Sequence, residues 1–541
     1  MSTRQTSLNI HTVPSGFYEG FNPVVSMSAK LIMALLVLWL MAFPNTAGAL
    51  LEHLKHTTLS IFGTWYEWLL AATFLLCIGI LVHPASKRIK LGGDYDIPEH
   101  STLSWLSMMF CAGIGAGILA FSVSEPISHL TENPDLMAGT VTAGSEDSAA
   151  SALRFAFLHW GFSAWACYAL VGVALGLSCH RDGHPLTMRS ALEPLLGRWL
   201  EGPLGHGIDV ISILAISSGI ITTIVLGLEQ ICAGLFILTG HPFFADKAGN
   251  APFAALMTAL VVSTSIAIGS VVSGVNRGVK WTSNTGVFLA FGLLAIFVVM
   301  GSGSFVAGAF VDGVGAYLRA LPAEMLGIHT TGQNAEPQAD WRGQWTFFYW
   351  AWWIAFAPFV GLFLARISRG RSLREFVLGA VIAPALMCFL WFAITGGSAI
   401  MLELDGTADG RIIAAPHAFR IYETIDLLLP SMAAPGMKAV ILLMFLVLIV
   451  SSTSAAIIAI KSIGAGGGVL AETPLHSLLW AVVLAAMTGS IMAVGGVQSI
   501  RDVMIVGAVP FSFVMLLMLL AVCKTLFRSS VSGVVRTEPL P

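Results

Sequence analysis

The chain has 541 residues, of which 56% are hydrophobic and only 11% are charged, whereas about 25% of the residues of a typical soluble domain are charged. With a mean hydropathy of +0.82, this composition excludes a soluble protein and predicts a chain embedded in a lipid bilayer. The formal net charge of −3 and the lack of a basic tract give no support for nucleic-acid binding.

The first 28 residues are polar and have no apolar signal core, which predicts a retained cytoplasmic tail rather than a cleaved signal peptide. A transmembrane domain follows at 29–525, and a short cytoplasmic tail at 526–541 ends the chain. Apolar runs of about 18 to 25 residues, long enough to cross a bilayer as helices, predict twelve spans. These are 29–49, 65–83, 103–123, 153–178, 207–238, 252–273, 283–303, 345–365, 376–398, 435–460, 475–497 and 502–524.

Lys and Arg residues concentrate in segments that lie on the cytoplasmic side if the N-terminus does, among them KRIK (87–90) and RISRGRSLR (366–374). On the other side, the predicted loop 124–152 carries Glu125, Glu132 and three more acidic residues, with no Lys or Arg. This asymmetry predicts that both termini lie in the cytoplasm.

Glycine and proline interrupt two of the predicted spans, at GIGAG (113–117) in the third and PFVG (358–361) in the eighth. Paired interruptions near the start of two five-helix blocks predict an internal duplication, with broken helices that face a site near the bilayer midplane. Close helix packing through Gly113 and Gly117 is an alternative explanation. The repeats would cover about 103–303 and about 345–524.

Other polar features interrupt the apolar pattern. VVSGVNRGVKWTSN (271–284) is short and amphipathic and predicts a helix in the interface plane. Arg154 and Glu229 fall inside predicted spans, where ionisable residues are candidates for function by default. Snorkelling of Arg154 at a helix end and a structural hydrogen bond of Glu229 are the alternatives.

Aromatic residues crowd the eighth span in FFYWAWW (347–353). An interfacial belt accounts for Phe347 to Trp350, but Trp352 and Trp353 lie deeper. One helix face continues inward at spacings of four and three residues: Trp352, Phe356, Phe359 and Phe363. A belt is one layer thick, so this face favours an aromatic site for an ammonium group.

The fourth span carries a second aromatic set, Trp160, Trp165 and Tyr168. Taken alone, each of these is explained by ordinary packing, but two such sets facing a common gap could stack around an ammonium, at about 0.5–2 kcal/mol for each desolvated contact. The glycine-rich break could direct backbone N–H groups at a carboxylate. Because the break contains no acidic side chain, a zwitterion fits it better than a free cation.

The tenth span contains four hydroxyl residues in IVSSTSAAIIA (449–459), namely Ser451, Ser452, Thr453 and Ser454. Hydroxyls that bond back to carbonyls of their own helix are one explanation. Hard oxygen ligands for Na⁺, completed by carbonyls at the break in the third span, are the other.

Together these motifs resemble the betaine/choline/carnitine transporter family over residues of about 20 to 525. The most specific string is QWTFFYWAWWIAFAPFVGLFLARISRGRSLREF (344–376). The resemblance implies an all-α membrane protein of the bacterial inner membrane, with twelve transmembrane helices, a LeuT-like inverted repeat, an interfacial helix and a homotrimeric assembly.

The resemblance also implies the site residues. The expected substrate contacts are Gly113, Ile114, Gly115, Gly117, Trp160, Trp165, Tyr168, Trp350, Trp352, Trp353 and Phe356. The expected Na⁺ ligands are Ser451 and Ser452, with the carbonyls of Cys111 and Ile114 opposite them. No cofactor other than the coupling ion is expected.

The chain also departs from the family pattern. Phe356 stands where members usually have another tryptophan, and Gly117 where choline-type members have aspartate. Ile216 and Ile220 replace the threonine pair of a second sodium site, which predicts one Na⁺ per cycle unless a neighbouring hydroxyl substitutes. The short C-terminal tail speaks against osmotic regulation.

The leading hypothesis is Na⁺-coupled symport of a small methylated zwitterion: glycine betaine, carnitine, dimethylsulfoniopropionate or trimethylamine N-oxide. A sodium-independent exchanger and choline uptake are alternatives within the family. A non-transporting membrane sensor is disfavoured because the tails carry no signalling domain. A membrane enzyme is disfavoured because no His/Asp/Cys set has catalytic spacing.

Overall fold

The computed structural model describes residues 7–113, 115–273, 278, 280–301, 303–327, 335–468 and 474–535. The regular structure of these residues is helical apart from two isolated β-bridges. The long helices are α1 Pro23–Ala42, α2 Pro44–Val82, α3 Thr102–Gly113, α4 Ala116–Thr131, α5 Glu146–Trp160, α6 Phe162–Gly176, α7 Pro203–Thr239, α8 Phe253–Val272, α9 Lys280–Met300, α10 Gly303–Met325, α11 Thr346–Ile367, α12 Ala383–Leu404, α13 Ala434–Gly464, α14 Pro474–Gly496 and α15 Gln498–Arg528.

Shorter helical segments join them: Pro84–Lys87, Pro134–Met137, Leu177–Arg181, Met188–Leu192, Glu193–Leu196, Gly197–Glu201, Ala335–Gln344, Leu373–Val377, Leu378–Ile382, Arg411–Ala414 and Arg420–Leu428. The first helix begins at Pro23, six residues before the predicted span. Residues 7–22 contact the rest of the protein, and the Leu8 backbone N–H donates to His184 Nδ1 at 3.2 Å. At the other end, the helical backbone continues beyond Arg528 as far as Val535, into the predicted tail.

Twelve helices of the described chain are long and apolar enough to cross a membrane. These twelve include α10, which the sequence does not predict, and omit α3 and α4, each of which is too short to cross alone. The buried residues of α10 repeat every four positions, at Gly313, Tyr317, Leu321 and Met325, and the helix has the lowest mean hydropathy of the twelve, 1.2. We therefore interpret α10 as an amphipathic helix at the interface and α3 with α4 as one broken crossing.

The amphipathic helix thus lies elsewhere than predicted. Residues 274–277 and 279 of the segment 271–284 lie outside the described residues, and the rest of that segment belongs mainly to the ends of α8 and α9. The apolar face of α10 is hard to recognise in the sequence, because small residues such as Gly313 form part of it. At Gly313, an added Cβ would lie 2.9 Å from the Phe157 ring of α5, so the stripe packs directly on that helix.

Only one of the two predicted interruptions breaks a helix. α3 ends at Gly113, and α4 begins after Gly115, whose backbone is extended at φ −111° and ψ 176°. The predicted break at 358–361 is wrong, because α11 continues through Pro358 to Ile367. A buried helix tolerates proline where neighbouring helices surround the freed carbonyl.

Close contacts recur between helices at equivalent places of the two predicted repeats. A Cβ on Gly361 of α11 would lie 2.5 Å from the Val171 Cβ of α6, and one on Gly396 of α12 would lie 2.4 Å from Pro126 Cγ of α4. Likewise, α9 contacts α13 and α15 contacts α7. This reciprocal pairing is consistent with the inverted repeat, which stays a prediction.

The contact at Gly361 yields a stability prediction. Gly361→Ala forces a methyl group against Val171, and we expect it to lower stability by about 1–3 kcal/mol, the usual cost of overpacking. The matched control is Gly397→Ala, because a Cβ there has its nearest neighbour at 4.0 Å. Thermal unfolding of the purified protein in detergent measures both variants, and equal melting temperatures would contradict the tight contact.

Candidate functional site

The break between α3 and α4 places unpaired backbone groups inside the protein. The first N–H groups of α4 have no partner within their helix, as at every helix N-terminus. Ser452 of α13 lies beside the break, since a Cβ on Gly115 would be 3.9 Å from its Oγ. Ile114 lies outside the described residues, and for Cys111 and Gly113 only the helical backbone is described.

A cavity of about 590 Å³ adjoins this break and is lined by residues of α3 to α7, α9, α11 and α13. Both predicted aromatic sets face it. The predicted site residues that line it are Gly115, Gly117, Trp160, Trp165, Tyr168, Trp352, Trp353, Phe356, Ser451 and Ser452. The tertiary structure therefore brings together residues that are more than 300 positions apart in the chain.

The aromatic rings around the cavity are nearly parallel within the α11 pair and meet at steep angles between the two sets. Trp352 and Trp353 stack with centroids 5.3 Å apart and ring planes within 5°. The Trp160 ring meets Trp353 at 5.0 Å and 69°, and Tyr168 meets it at 6.1 Å and 87°. Walls at steep angles present several π faces to one volume, which is consistent with the predicted aromatic cage.

Exposure increases along α11 toward its C-terminal end. Trp352 and Trp353 are 2% and 6% exposed, Phe356 is half-buried and Arg366 is exposed. We call the side of the cavity bounded by Lys280 and Arg366 the Arg366 end. Because the lining side chains of α11 become more exposed in this direction, the cavity opens to the surroundings at the Arg366 end.

The opposite side of the cage is closed by a buried polar network centred on Glu125 of α4. Its carboxylate oxygens lie within hydrogen-bond distance of four side chains: His129 Nε2 at 3.3 Å, His159 Nδ1 at 2.7 Å, Trp160 Nε1 at 2.9 Å and the Tyr349 hydroxyl at 2.5 Å. Glu125 and both histidines are fully buried. This network ties α4, α5 and α11 together directly behind the cage.

The cage residues are held by the same network. Trp353 Nε1 donates to the His159 carbonyl at 2.8 Å, and His159 Nε2 lies 3.2 Å from the Thr346 hydroxyl. The ligand atoms of Glu125, His129 and His159 lie within 4.8 Å of one another, a spacing that could suit a metal ion. Because hydrogen bonds already occupy both carboxylate oxygens, we assign a hydrogen-bonded network here.

Glu125 is the residue that sequence analysis placed wrongly. The prediction ends the third span at 123 and puts Glu125 in a loop, whereas α4 continues to Thr131 and buries it. A signal was present in the sequence, because Glu125 and His129 are one helical turn apart and His159 precedes Trp160. Pro126 obscured this signal, because a proline at that position is usually taken to end a helix.

The interfacial-belt interpretation is wrong for three of its four residues. Phe348, Tyr349 and Trp350 are 1%, 0% and 3% exposed within the protein itself. Phe347 is half-buried against Gly63 of α2. Trp350 does not line the cavity, and its ring centroid lies 6.2 Å from that of His159.

The hydroxyls of α13 contact neighbouring helices. Ser451 shares a 2.8 Å hydrogen bond with Ser283 of α9, and Ser454 donates to the Ala267 carbonyl at 3.5 Å. Thr453 is buried, and its Oγ1 has no hydrogen-bond partner among the described residues. These side chains therefore present oxygen atoms between helices, where an ion could reach them.

Four hydroxyl residues lie near Ile216 and Ile220 on α7, and unlike those of α13 they bond within their own helix. Ser217, Ser218, Thr222 and Thr223 each donate to a carbonyl of α7 itself, at 2.8–3.3 Å. Ile216 and Ile220 are buried, and only Thr223 of these residues lines the cavity. The rotation that would let another hydroxyl substitute is not seen.

The two ionisable residues predicted inside spans have structural partners. Arg154 pairs with Asp135 at 3.0 Å and with Glu324 of α10 at 3.5 Å, so it anchors the amphipathic helix at a surface. Glu229 is half-buried in α7 and lies within electrostatic reach of Arg501. Neither residue lines the cavity.

Comparisons with known proteins agree with this architecture. The family described as BCCT, betaine/carnitine/choline family transporter, matches residues 23–531. A glycine betaine/proline/choline/ectoine transporter of Vibrio parahaemolyticus is 33% identical, over 94% of this chain and 88% of the relative. The glycine betaine transporter OpuD of Bacillus subtilis is 32% identical over 92% and 93%, and the high-affinity choline transport protein of Escherichia coli is 32% identical over 94% and 72%.

The position of the tryptophans yields a paired prediction. Trp353→Leu removes a cavity wall, and we expect it to abolish binding of trimethylammonium compounds. Trp350→Leu removes an equally buried ring outside the cavity and should retain binding despite a similar loss of packing. Ligand-induced thermal stabilisation of the purified variants measures this, and equal loss in both would contradict the assignment of Trp353 to the cage.

Proposed function

Because the chain belongs to the betaine/carnitine/choline transporter family and is a multi-pass membrane transporter, we propose that it carries a small methylated zwitterion by Na⁺-coupled symport. The observation that carries this proposal is the joint lining of one cavity by tryptophans from three helices, α5, α6 and α11, and by the backbone of a broken helix. The candidate substrates are glycine betaine, carnitine, dimethylsulfoniopropionate and trimethylamine N-oxide.

The cavity chemistry supports a zwitterion over a free cation. Among the described residues, those that line the cavity include no Asp or Glu, but they do include Lys280 and Arg366. The Trp352 ring packs on Gly117, where an added Cβ would lie 2.5 Å from its Cη2 atom. An aspartate at position 117, as in choline-type members, would displace this wall of the cage.

Donors for the substrate carboxylate are available beside the rings. The freed N–H groups at the start of α4 point away from their own helix, and the N-terminal end of a helix favours an anion. The Trp352 indole N–H is buried and has no acceptor within the described protein. A buried donor without an acceptor costs about 1–3 kcal/mol, which a bound carboxylate would offset.

Sodium coupling rests on Ser451 and Ser452. Both hydroxyl residues line the cavity, and Ser452 adjoins the break at Gly115. An ion there would link the broken helix to α13 with hard oxygen ligands. One Na⁺ per cycle follows from the isoleucines that replace the second site, and H⁺ is the competing coupling ion.

Alternating access would expose the cage first to one side of the membrane and then to the other. We place the Arg366 end and both termini in the cytoplasm of a bacterium, so this conformation faces inward while the Glu125 network closes the outer side. The exposed face of α10 and the neighbouring helix ends are the surfaces that we propose for trimer contacts.

Uptake into proteoliposomes tests the coupling ion. We expect a Na⁺ gradient to drive accumulation of glycine betaine and Ser452→Ala to abolish this stimulation, because the substitution removes an oxygen ligand. Ser454→Ala is the matched control, since its hydroxyl bonds to the Ala267 carbonyl and does not line the cavity. Accumulation that follows a pH gradient would assign H⁺ instead, and counterflow that requires internal substrate and ignores Na⁺ would assign exchange.

Phe356 yields a specificity prediction. Its ring lies against Gly219 of α7, where a Cβ would be 2.5 Å from Phe356 Cδ2, and it meets Trp352 at 6.2 Å and 82°. We expect Phe356→Trp to extend the cage and change the relative affinities for ammonium, sulfonium and N-oxide head groups at least severalfold, with little change in maximal rate. Competition assays against a panel of methylated compounds measure this, and an unchanged ranking would remove Phe356 from the site.

A further inference from the structure

The carboxylate of Glu125 lies behind the cage, with Trp160 between it and the cavity. Its Oε2 accepts hydrogen bonds from the Trp160 indole and the Tyr349 hydroxyl, while Trp160 faces the cavity. We propose that Glu125 is a specificity-determining positioning residue, whose charge acts through Trp160 to favour a positively charged methylated head group over a neutral group of the same shape. This inference rests on the proposed function.

The hydrogen bonds around Glu125 favour its ionised form, because the Trp160 indole N–H can only donate and a carboxylate can accept from all four of its neighbours. His159 Nδ1 donates to Glu125, and its Nε2 can accept from the Thr346 hydroxyl. His129 Nε2 donates to Glu125, while its buried Nδ1 has no partner among the described residues. All four neighbours can therefore act as donors to the carboxylate, and such charge-assisted hydrogen bonds stabilise its negative charge.

Neither of the nearby arginines cancels the charge of Glu125. Arg420 donates to the Ser124 carbonyl and the Ser128 hydroxyl on the flanking positions of α4. Arg501 lies over the Phe348 ring at 4.8 Å. Within the described part of the chain, the only side chains in ion-pair distance of Glu125 are the two histidines, so the carboxylate retains its negative charge.

This charge affects the cage in two ways. An N–H that donates to a carboxylate makes a charge-assisted bond, which shifts electron density onto the indole and strengthens the attraction of its π face for a cation. The carboxylate also attracts a cation across the ring directly, because buried surroundings screen charge weakly. Both effects require a charged head group and leave a neutral one unaffected.

A solely structural role makes a different prediction. Since Glu125 also ties α4, α5 and α11 together, its loss could distort the cage and weaken every ligand to a similar extent. The ratio of affinities for a charged ligand and its neutral isostere separates the two roles. Glycine betaine and 3,3-dimethylbutanoate form such a pair, because they differ only in the N⁺ or C at the centre of the trimethyl group.

The experiment measures the affinity of both compounds for the full-length protein in detergent, using calorimetry for glycine betaine and competition for the isostere. In Glu125→Gln we expect glycine betaine to bind about tenfold more weakly, in line with the strength of a desolvated cation–π contact. Binding of 3,3-dimethylbutanoate should change by less than about twofold. Equal weakening of both compounds, or no change in either, would overturn the proposal.

Three further variants keep the test decisive. Tyr349→Phe removes a donor to the same oxygen but retains the charge, so the affinity ratio should stay at the wild-type value. Glu125→Asp retains the charge and should restore at least part of the ratio. If Glu125→Gln does not fold, Trp160→Phe provides the test, because it keeps a ring but removes the N–H bond; a wild-type ratio in that variant would equally overturn the proposal.

The outcome is distinguishable from failure of the proposed function. If the wild-type protein binds none of the methylated zwitterions, the proposed function fails. If it binds glycine betaine and prefers it equally in wild type and in Glu125→Gln, the proposed function stands and only the role of Glu125 is wrong.

Discussion

The close approach of α11 to α6 at Gly361 is the contact on which the rest of the site depends. Because Gly361 has no side chain, the Val171 side chain and the Gly172 backbone of α6 pack directly against the α11 backbone. Trp353 extends from α11, and Trp165 and Tyr168 extend from α6, so their separation is set by this packing. A larger residue at Gly361 would move two cage walls apart, although it lies outside the cavity.

Around this contact, the protein combines a rigid closed side with an adaptable open side. Hydrogen bonds from three helices converge on Glu125 and leave none of the network exposed. Toward the Arg366 end, in contrast, half-buried phenylalanines, which make no side-chain hydrogen bonds, line the cavity. Buried hydrogen-bonded groups resist separation in a low-dielectric interior, whereas apolar contacts can slide. This difference is consistent with the alternating access that we propose.

Prediction from sequence succeeded where local chemistry is decisive. Three glycines within five residues destabilise a helix, because glycine loses the most conformational entropy on folding. GIGAG (113–117) does contain the break. The same logic failed at PFVG (358–361), where α11 continues through the proline. Both strings contain residues that weaken a helix, but Gly361 serves helix packing, and only its neighbours in space reveal this.

The sequence by itself determined the all-helical membrane architecture, because apolar length and composition alone decide which segments can enter a bilayer. It also determined the family and the identity of the aromatic residues, since those strings are specific. Only the tertiary structure decided that Trp350 lies outside the cavity, that α10 is the amphipathic helix and that Glu125 is buried behind Trp160. These outcomes depend on which helix faces meet, and that is a property of packing between segments far apart in the chain.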